Sequence, residues 1–158
     1  MLITQTLGNL SELPDSERSA VTIDPVRLGN LELVKRVQRV TTASGREIGL
    51  RLPTELRELR DGDVLHREGD EVITVEVLPS DVLVIRPASI HEMGVIAHGL
   101  GNRHLQAQFF DADSEYGQAV MVVQYDHTVE HFLEHQAALY SREDRVLPHP
   151  FRHAEHTH

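Results

Sequence analysis

The chain contains no cysteine among its 158 residues. This absence excludes a disulfide framework, a thiolate metal site and a cysteine nucleophile. Any metal site in this chain must therefore be built from nitrogen and oxygen ligands.

Positive charge is also scarce. Lysine and arginine total 15 against 25 aspartates and glutamates, which gives a formal net charge of −10. Binding to a phosphate backbone needs a basic patch, and the sequence has none. We therefore expect no nucleic-acid partner.

Long apolar runs are missing as well. The longest, such as residues 82–85, span only a few positions, whereas a membrane-spanning helix needs about 20. Residues 1–19 show neither the basic nor the apolar segment of a secretory signal. We therefore expect a cytoplasmic protein without a membrane partner, whose 40% apolar residues suffice for a buried core.

Residues 1–79 are predicted to form a small antiparallel β domain. Segments that alternate or are rich in branched apolar residues indicate strands at 31–40, 47–52, 64–66 and 72–77. Polar connectors that contain Gly45 and Gly69 are typical of hairpins, which pair neighbouring strands in antiparallel fashion.

Residues 80–148 are predicted to form a ferredoxin-like domain. Strand-like segments at 82–87, 105–110, 119–124 and 145–147 alternate with two helical patterns. The order β-α-β-β-α-β places both helices on one face of an antiparallel sheet. The predicted fold class is therefore α+β, followed by a flexible tail over residues 149–158.

Capping residues define the two predicted helices. Ser89 is expected to cap the first helix, and Gly99 with Gly101 to end it through a left-handed residue. Asp126 is expected to cap the second helix, whose apolar stripe runs from Val129 to Tyr140.

Histidine is the residue present in excess. Of the 11 histidines, four lie in the last ten residues, at His149, His153, His156 and His158. Neutral imidazoles on a flexible segment can close around one divalent ion, so this composition indicates metal binding. The alternatives are a polar tail without function or an expression tag, although a tag is usually a contiguous run.

The second predicted helix carries three further histidines. His127, His131 and His135 stand four residues apart and share one face, where such pairs can chelate an ion. A solvated polar face is the alternative for His131 and His135. His127 is the better candidate ligand, because a helix N-terminus disfavours a protonated imidazole.

The same helix also matches a short hydrolase motif. His131, Glu134 and His135 fit the inverted zincin pattern H-x-x-E-H. A metal-dependent hydrolase that uses these residues with His127 is therefore an alternative function. The sequence shows no further helix that supplies a carboxylate to complete such a site.

The segment from Gly99 to His104 is no nucleotide-binding loop, because its two glycines follow a helix instead of a strand. Arg103 and His104 are predicted to lie at the junction of a helix and a strand. There a side chain can be held rigidly and yet remain exposed. By spacing alone His104 is an ordinary loop histidine.

Two motifs resemble the UreE family of nickel metallochaperones. They are Gly101-Asn102-Arg103-His104, followed by a small apolar residue and Gln108, and the later pair Asp126-His127. The layout of β domain, ferredoxin-like domain and histidine-bearing tail is also similar over the whole chain. By this resemblance His104 is the primary ligand at a homodimer two-fold axis, where both copies bind one nickel ion.

The resemblance implies further ligands with two differences from some members. His127 corresponds to a secondary metal ligand, but the position two residues earlier, a histidine in some members, is Tyr125. Some members also carry a very long histidine-rich tail that stores many ions. The tail of this chain has only four histidines, which implies delivery more than storage.

The resemblance implies a nickel chaperone for urease maturation that is not itself an enzyme. Its expected partners are a second copy of the chain, the urease apoprotein and the urease accessory proteins, including the GTPase. Zn(II) and Cu(II) are expected to compete for the site, since Cu(II) binds such ligands more tightly. A metal buffer or sensor without a client remains a second alternative.

Overall fold

The computed structural model describes residues 1–151, and their contacts divide the chain into two compact units. The first unit comprises Met1–Pro79 together with Val146–Pro150, and the second comprises Ser80–Arg145 together with Phe151. Within residues 1–151, no helix is long and apolar enough to cross a membrane.

The first unit contains six strands and two short helices. The strands are β1 (Leu2–Ile3), β2 (Thr22–Leu28), β3 (Val37–Thr41), β4 (Glu47–Arg51), β5 (Val64–Glu68) and β6 (Glu71–Val77). The helices are α1 (Asp15–Ala20) and α2 (Asn30–Leu33), and a 3₁₀ turn covers Leu10–Glu12. The strands form two sheets, in the orders β1-β4-β3 and β2-β6-β5.

The prediction of a purely antiparallel β domain is wrong. The hairpins β3–β4 and β5–β6 are antiparallel, but β1 pairs with β4 and β2 pairs with β6 in parallel. Parallel pairing joins strands that are distant in sequence, so hairpin signals between neighbouring segments do not indicate it. Pro25 fits this arrangement because β2 is an edge strand, where a missing N–H is tolerated.

Residues 31–40 were predicted to be one strand, which is also wrong. The structure has α2 in the first part of this segment and β3 in the second. The amide of Glu32 donates to the carbonyl of Gly29, and Leu33 is buried in the core of the first unit. A buried side chain and a local turn therefore override the β-like alternation.

A buried carboxylate connects the loops of the first unit. Asp63 is completely buried and accepts hydrogen bonds from Arg57 at 2.9 Å, Asn9 at 3.0 Å and the amide of Arg60 at 2.8 Å. Burial raises the pKa of Asp63, but these donors outweigh it and hold the pKa below its ordinary value. The carboxylate is thus charged and fully hydrogen-bonded.

The second unit has the element order β-α-β-β-α-β. Its elements are β7 (Ser80–Ile85), α3 (Ile90–Gly101), β8 (Ala107–Phe110), β9 (Val120–Gln124), α4 (His127–His135) and β10 (Tyr140–Arg145). The strands form one antiparallel sheet in the order β10-β7-β9-β8. The α+β class predicted from the sequence is confirmed.

Both helices of the second unit pack on the same face of this sheet. On β7 and β9, Leu83 is opposite Val123 and Ile85 is opposite Met121, so these four side chains share a face. They form one buried cluster with residues of α3 and α4, namely Ile96, Leu100, Val129 and Leu133. This core fixes both helices, and with them the segments that follow α3 and precede α4.

The last strand lies earlier than predicted. Residues 145–147 were expected to form it, but β10 is Tyr140–Arg145, and the expected helical stripe therefore ends before Tyr140. The strand is an edge strand with charged side chains, of which Arg142 pairs with Asp81 at 2.8 Å and Arg145 with Glu143 at 2.8 Å. Because polar side chains pair along it, its sequence shows no apolar strand pattern.

Candidate metal centre

His104 lies in a tight turn just beyond the C-terminal end of α3. The helix ends at Gly101, and the amides of Arg103 and His104 donate to the carbonyls of Leu100 and Gly101, each at 3.0 Å. His104 is exposed. The turn thus presents an imidazole to solvent on a backbone that is hydrogen-bonded to the helix.

The backbone of His104 is left-handed, with φ of 57°. The prediction that Gly99 or Gly101 supplies this conformation is wrong, because the helix continues through both. The buried side chains of Ile96 and Leu100 hold this last turn of the helix against the core. Left-handed backbone costs a non-glycine residue about 1–2 kcal/mol, and such strain is typical of functional sites.

Gly99 has a packing role instead. A Cβ atom at this position would lie 2.7 Å from Cζ of Phe132 on α4, so only glycine lets the ring lie against α3. The guanidinium carbon of Arg103 lies 5.2 Å from the centroid of the same ring. We call these three residues, Gly99, Phe132 and Arg103, the Phe132 stack.

Arg103 makes a second contact with α4. Its Nη1 atom donates a long hydrogen bond of 3.4 Å to the carbonyl oxygen of Thr128. The Phe132 stack and this bond together join α4 to the turn that carries His104.

Asp126 caps α4, as predicted. Its Oδ1 atom accepts the amide of Thr128 at 2.7 Å and also the hydroxyl of the same residue. The Thr128 hydroxyl, followed by the amide, lowers the pKa of Asp126 below its ordinary value. The charged carboxylate thus lies at the positive end of the helix, directly before His127.

His127, His131 and His135 line one open groove of about 530 Å³ together with Arg103, Thr128 and Phe132. The spacing of four residues thus places the three imidazoles along one face of α4, as the sequence indicated. Three imidazoles and an aromatic ring thus line the same groove.

Tyr125, two residues before His127, packs against the core of the second unit. The guanidinium carbon of Arg142 lies 3.5 Å from the centroid of its ring. The side chain of Tyr125 therefore contacts the core of the second unit and Arg142 of β10.

Of the four predicted tail ligands, His149 is exposed. His153, His156 and His158 lie outside the described residues, so their role remains a prediction. Within residues 1–151 of one chain, no three histidine, aspartate or glutamate side chains are grouped so that they could hold a metal ion.

Comparison with known proteins identifies the family. A profile of the UreE urease accessory protein N-terminal domain matches residues 3–78. The chain is 63% identical to the urease accessory protein UreE of Corynebacterium urealyticum and 60% identical to that of Pseudarthrobacter chlorophenolicus, each over the full length of both chains. The chain belongs to the UreE family. The resemblance read from the Gly101–His104 and Asp126-His127 motifs is thereby confirmed.

Membership of the UreE family makes the chain an accessory protein and not an enzyme. The carboxylate that the hydrolase alternative requires also has another partner in this UreE-family chain. Oε1 of Glu134 accepts the hydroxyl of Tyr140 at 3.1 Å. Desolvation, together with this hydrogen bond, raises the pKa of Tyr140 to about 12, so the phenol remains a donor to Glu134.

Sequence reasoning missed the Phe132 stack in this UreE-family chain. One signal could have indicated it, because an isolated glycine inside a helical pattern often has a packing reason. Gly99 was interpreted only as a helix stop. The sequence carries no corresponding signal for the left-handed backbone of His104.

Proposed function

We propose that this UreE-family chain is a nickel metallochaperone that binds Ni(II) and delivers it during assembly of the urease active site. Its relatives over the full length of the chain are urease accessory proteins UreE, which supports the role in urease maturation. The observation that carries the metal site is His104, an exposed imidazole on a left-handed turn that is hydrogen-bonded to α3.

The proposed site is shared by two chains. One exposed histidine is a weak ligand, but a two-fold axis doubles every ligand that lies close to it. The two His104 side chains, one from each subunit, then bind the same ion, and tail histidines complete the coordination shell. These are His149, His153, His156 and His158. His127 is proposed as a secondary ligand on the groove of α4.

The exposed face of α3 supports such a dimer. Ile90 is 93% exposed and Val95 is 42% exposed, and a Cβ atom added at Gly94 or Gly101 would meet nothing within 4 Å. The same side also carries the exposed His91 and His98. Exposed apolar side chains beside bare backbone permit close approach of a second helix. Because His104 directly follows the C-terminal end of this helix, two chains whose α3 helices meet close to that end bring their His104 residues together.

Nickel is the proposed cargo, with Zn(II) and Cu(II) as competitors. Imidazole ligands suit all three ions, and Cu(II) binds such ligands most tightly. Selection of nickel is therefore assigned to supply and to partners in the cytoplasm, the proposed location. These partners are the urease apoprotein and the urease accessory proteins, including the GTPase, recruited through the first unit.

Activation of urease apoprotein in a reconstituted system tests this function. The assay compares the nickel-loaded chain with an equal amount of nickel held by a small-molecule chelator of matched affinity. We expect urease activity to rise faster with the chain, and the gain to be lost in His104→Ala but kept in His66→Ala, a histidine on β5 of the first unit. Equal activation by the chain and by the chelator would show a metal buffer without a client.

A further inference from the structure

We infer that Arg103 is the positioning residue of the His104 turn, holding it against α4 through the ring of Phe132 and the carbonyl of Thr128. This inference rests on the proposed function, in which His104 binds nickel. It assigns the neighbouring arginine a role through contacts with α4, without any contact to the ion.

The backbone alone ties the turn only to its own helix. The amides of Asn102, Arg103 and His104 donate to carbonyls of α3, at His98, Leu100 and Gly101. These are short-range bonds at a helix end, where the last turn frays most easily. A ligand in this turn therefore needs a contact with another element to keep its direction.

Arg103 supplies that contact. Its guanidinium stacks against Phe132 at 5.2 Å and donates to the Thr128 carbonyl at 3.4 Å, so it contacts α4 in two places. Phe132 is itself fixed, because its ring lies where a side chain at Gly99 would be, 2.7 Å from the Cβ position. The contacts thus run from Gly99 on α3 to the ring of Phe132 and from the ring to Arg103, which directly precedes His104 in the chain.

A purely electrostatic role of Arg103 would oppose nickel binding. A guanidinium next to a site for a divalent cation repels the ion, so removal of the charge alone should tighten nickel binding. Loss of positioning should weaken it. The two roles therefore predict opposite changes for the same variant.

Lysine should not replace Arg103 well. The stack and the hydrogen bond use the plane and the fork of the guanidinium, which the single ammonium group of lysine lacks. Groups that orient metal ligands commonly alter affinity by about tenfold or more when they are removed. We expect a change of about tenfold for Arg103→Ala.

The test is a nickel titration of the full chain, read together with the melting temperature and the ligand-field absorption of bound nickel. Arg103→Ala, Arg103→Lys and Phe132→Leu should each weaken the tight site, and their absorption should shift. The matched control is Arg142→Ala, which removes an equivalent arginine stacked on Tyr125 at 3.5 Å in the same unit. It should leave nickel affinity and absorption as in the wild type.

Two different failures can be told apart. If His104→Ala leaves the tight site intact, the proposed function fails, whatever Arg103 does. If His104→Ala abolishes the site but Arg103→Ala binds nickel as tightly as the wild type or more tightly, the positioning role is overturned. A melting temperature lowered equally in Arg103→Ala and Arg142→Ala, with affinity lost only in the former, supports positioning over general loss of stability.

Discussion

Individual residues carry most of the account of the metal site. Of residues 1–151, two residues other than glycine have left-handed backbone: His104 with φ of 57° and Ala137 with φ of 52°. Ala137 follows the end of α4. Its amide donates a hydrogen bond to the carbonyl of Glu134, and the amide of Ala138 donates to the carbonyl of Leu133, each at 3.0 Å. It has no polar side chain, so it serves as an internal reference for the strain at His104.

Glycine at position 104 should stabilise the chain. His104→Gly removes the steric cost of the left-handed backbone and should raise the free energy of unfolding by about 1 kcal/mol. Ala137→Gly should act in the same direction. Urea unfolding of the metal-free chain measures both.

The matched control for this prediction is His131→Gly, in the middle of α4. The same change of residue there should lower the free energy of unfolding by roughly 0.5–1 kcal/mol, because glycine is a poor helix former. If His104→Gly destabilises the chain as His131→Gly does, the turn is not strained.

Asp63 carries the stability of the loops in the first unit. Asp63→Asn keeps the shape but removes the charge that Arg57 and Asn9 bind, and should cost about 2 kcal/mol at pH 7. Because the pKa of Asp63 is lowered in the folded state, its contribution is present above the unfolded pKa of about 3.9 and is lost as pH falls through the folded pKa.

Urea unfolding at pH 7 and at pH 3 checks this sign. The difference in stability between the wild type and Asp63→Asn should shrink markedly at pH 3, whereas the exposed Asp70→Asn should differ little from the wild type at either pH. An undiminished difference at pH 3 would mean that the charge of Asp63 contributes nothing.

At the scale of elements, local signals were sufficient only for local structure. Ser89 and Asp126 cap α3 and α4 as predicted, with their side chains bound to the amides of Glu92 and Thr128. The parallel pairings β1–β4 and β2–β6 were missed because their partners are distant in sequence. The position of the edge strand β10 was predicted wrongly, because its charged side chains pair with neighbours and its sequence shows no alternation with apolar residues.

The α3 helix is the element on which the proposed dimer depends. Val95→Glu places a charge on its exposed apolar face and should convert the dimer to a monomer, with loss of the tight nickel site. Light scattering after size-exclusion chromatography measures the mass. Leu139→Glu, at a residue 66% exposed in the same unit, is the control and should remain dimeric. A dimeric Val95→Glu would place the contact elsewhere.

For the whole molecule, the proposed metal site depends on residues that no single signal in the sequence connects. The motif around His104 and the spacing of His127, His131 and His135 were readable directly. The left-handed turn and the Phe132 stack were not, because they depend on how Phe132 of one helix meets Gly99 of the other. Motifs thus indicated the candidate ligands, and the fold supplied the reason for the placement of His104.

Nickel loading should fall as the pH drops below about 6.5. An imidazole must be neutral to bind a metal ion, and histidine side chains ordinarily protonate near this pH. Calorimetric titrations at pH 7.5 and pH 5.5 compare the affinities, with a nickel-binding aminocarboxylate as the control for protonation of the buffer. Equal affinity at both values would contradict histidine ligation.

The most direct test of the central claim is a calorimetric nickel titration at pH 7.5 of the wild type, His104→Ala, His66→Ala and a chain that ends at Pro148. We predict about one tight ion per dimer for the wild type, in keeping with a site on a two-fold axis. The tight phase should be abolished in His104→Ala, unchanged in His66→Ala and weakened without the tail. Tight binding that persists in His104→Ala would contradict the claim that His104 is the primary nickel ligand.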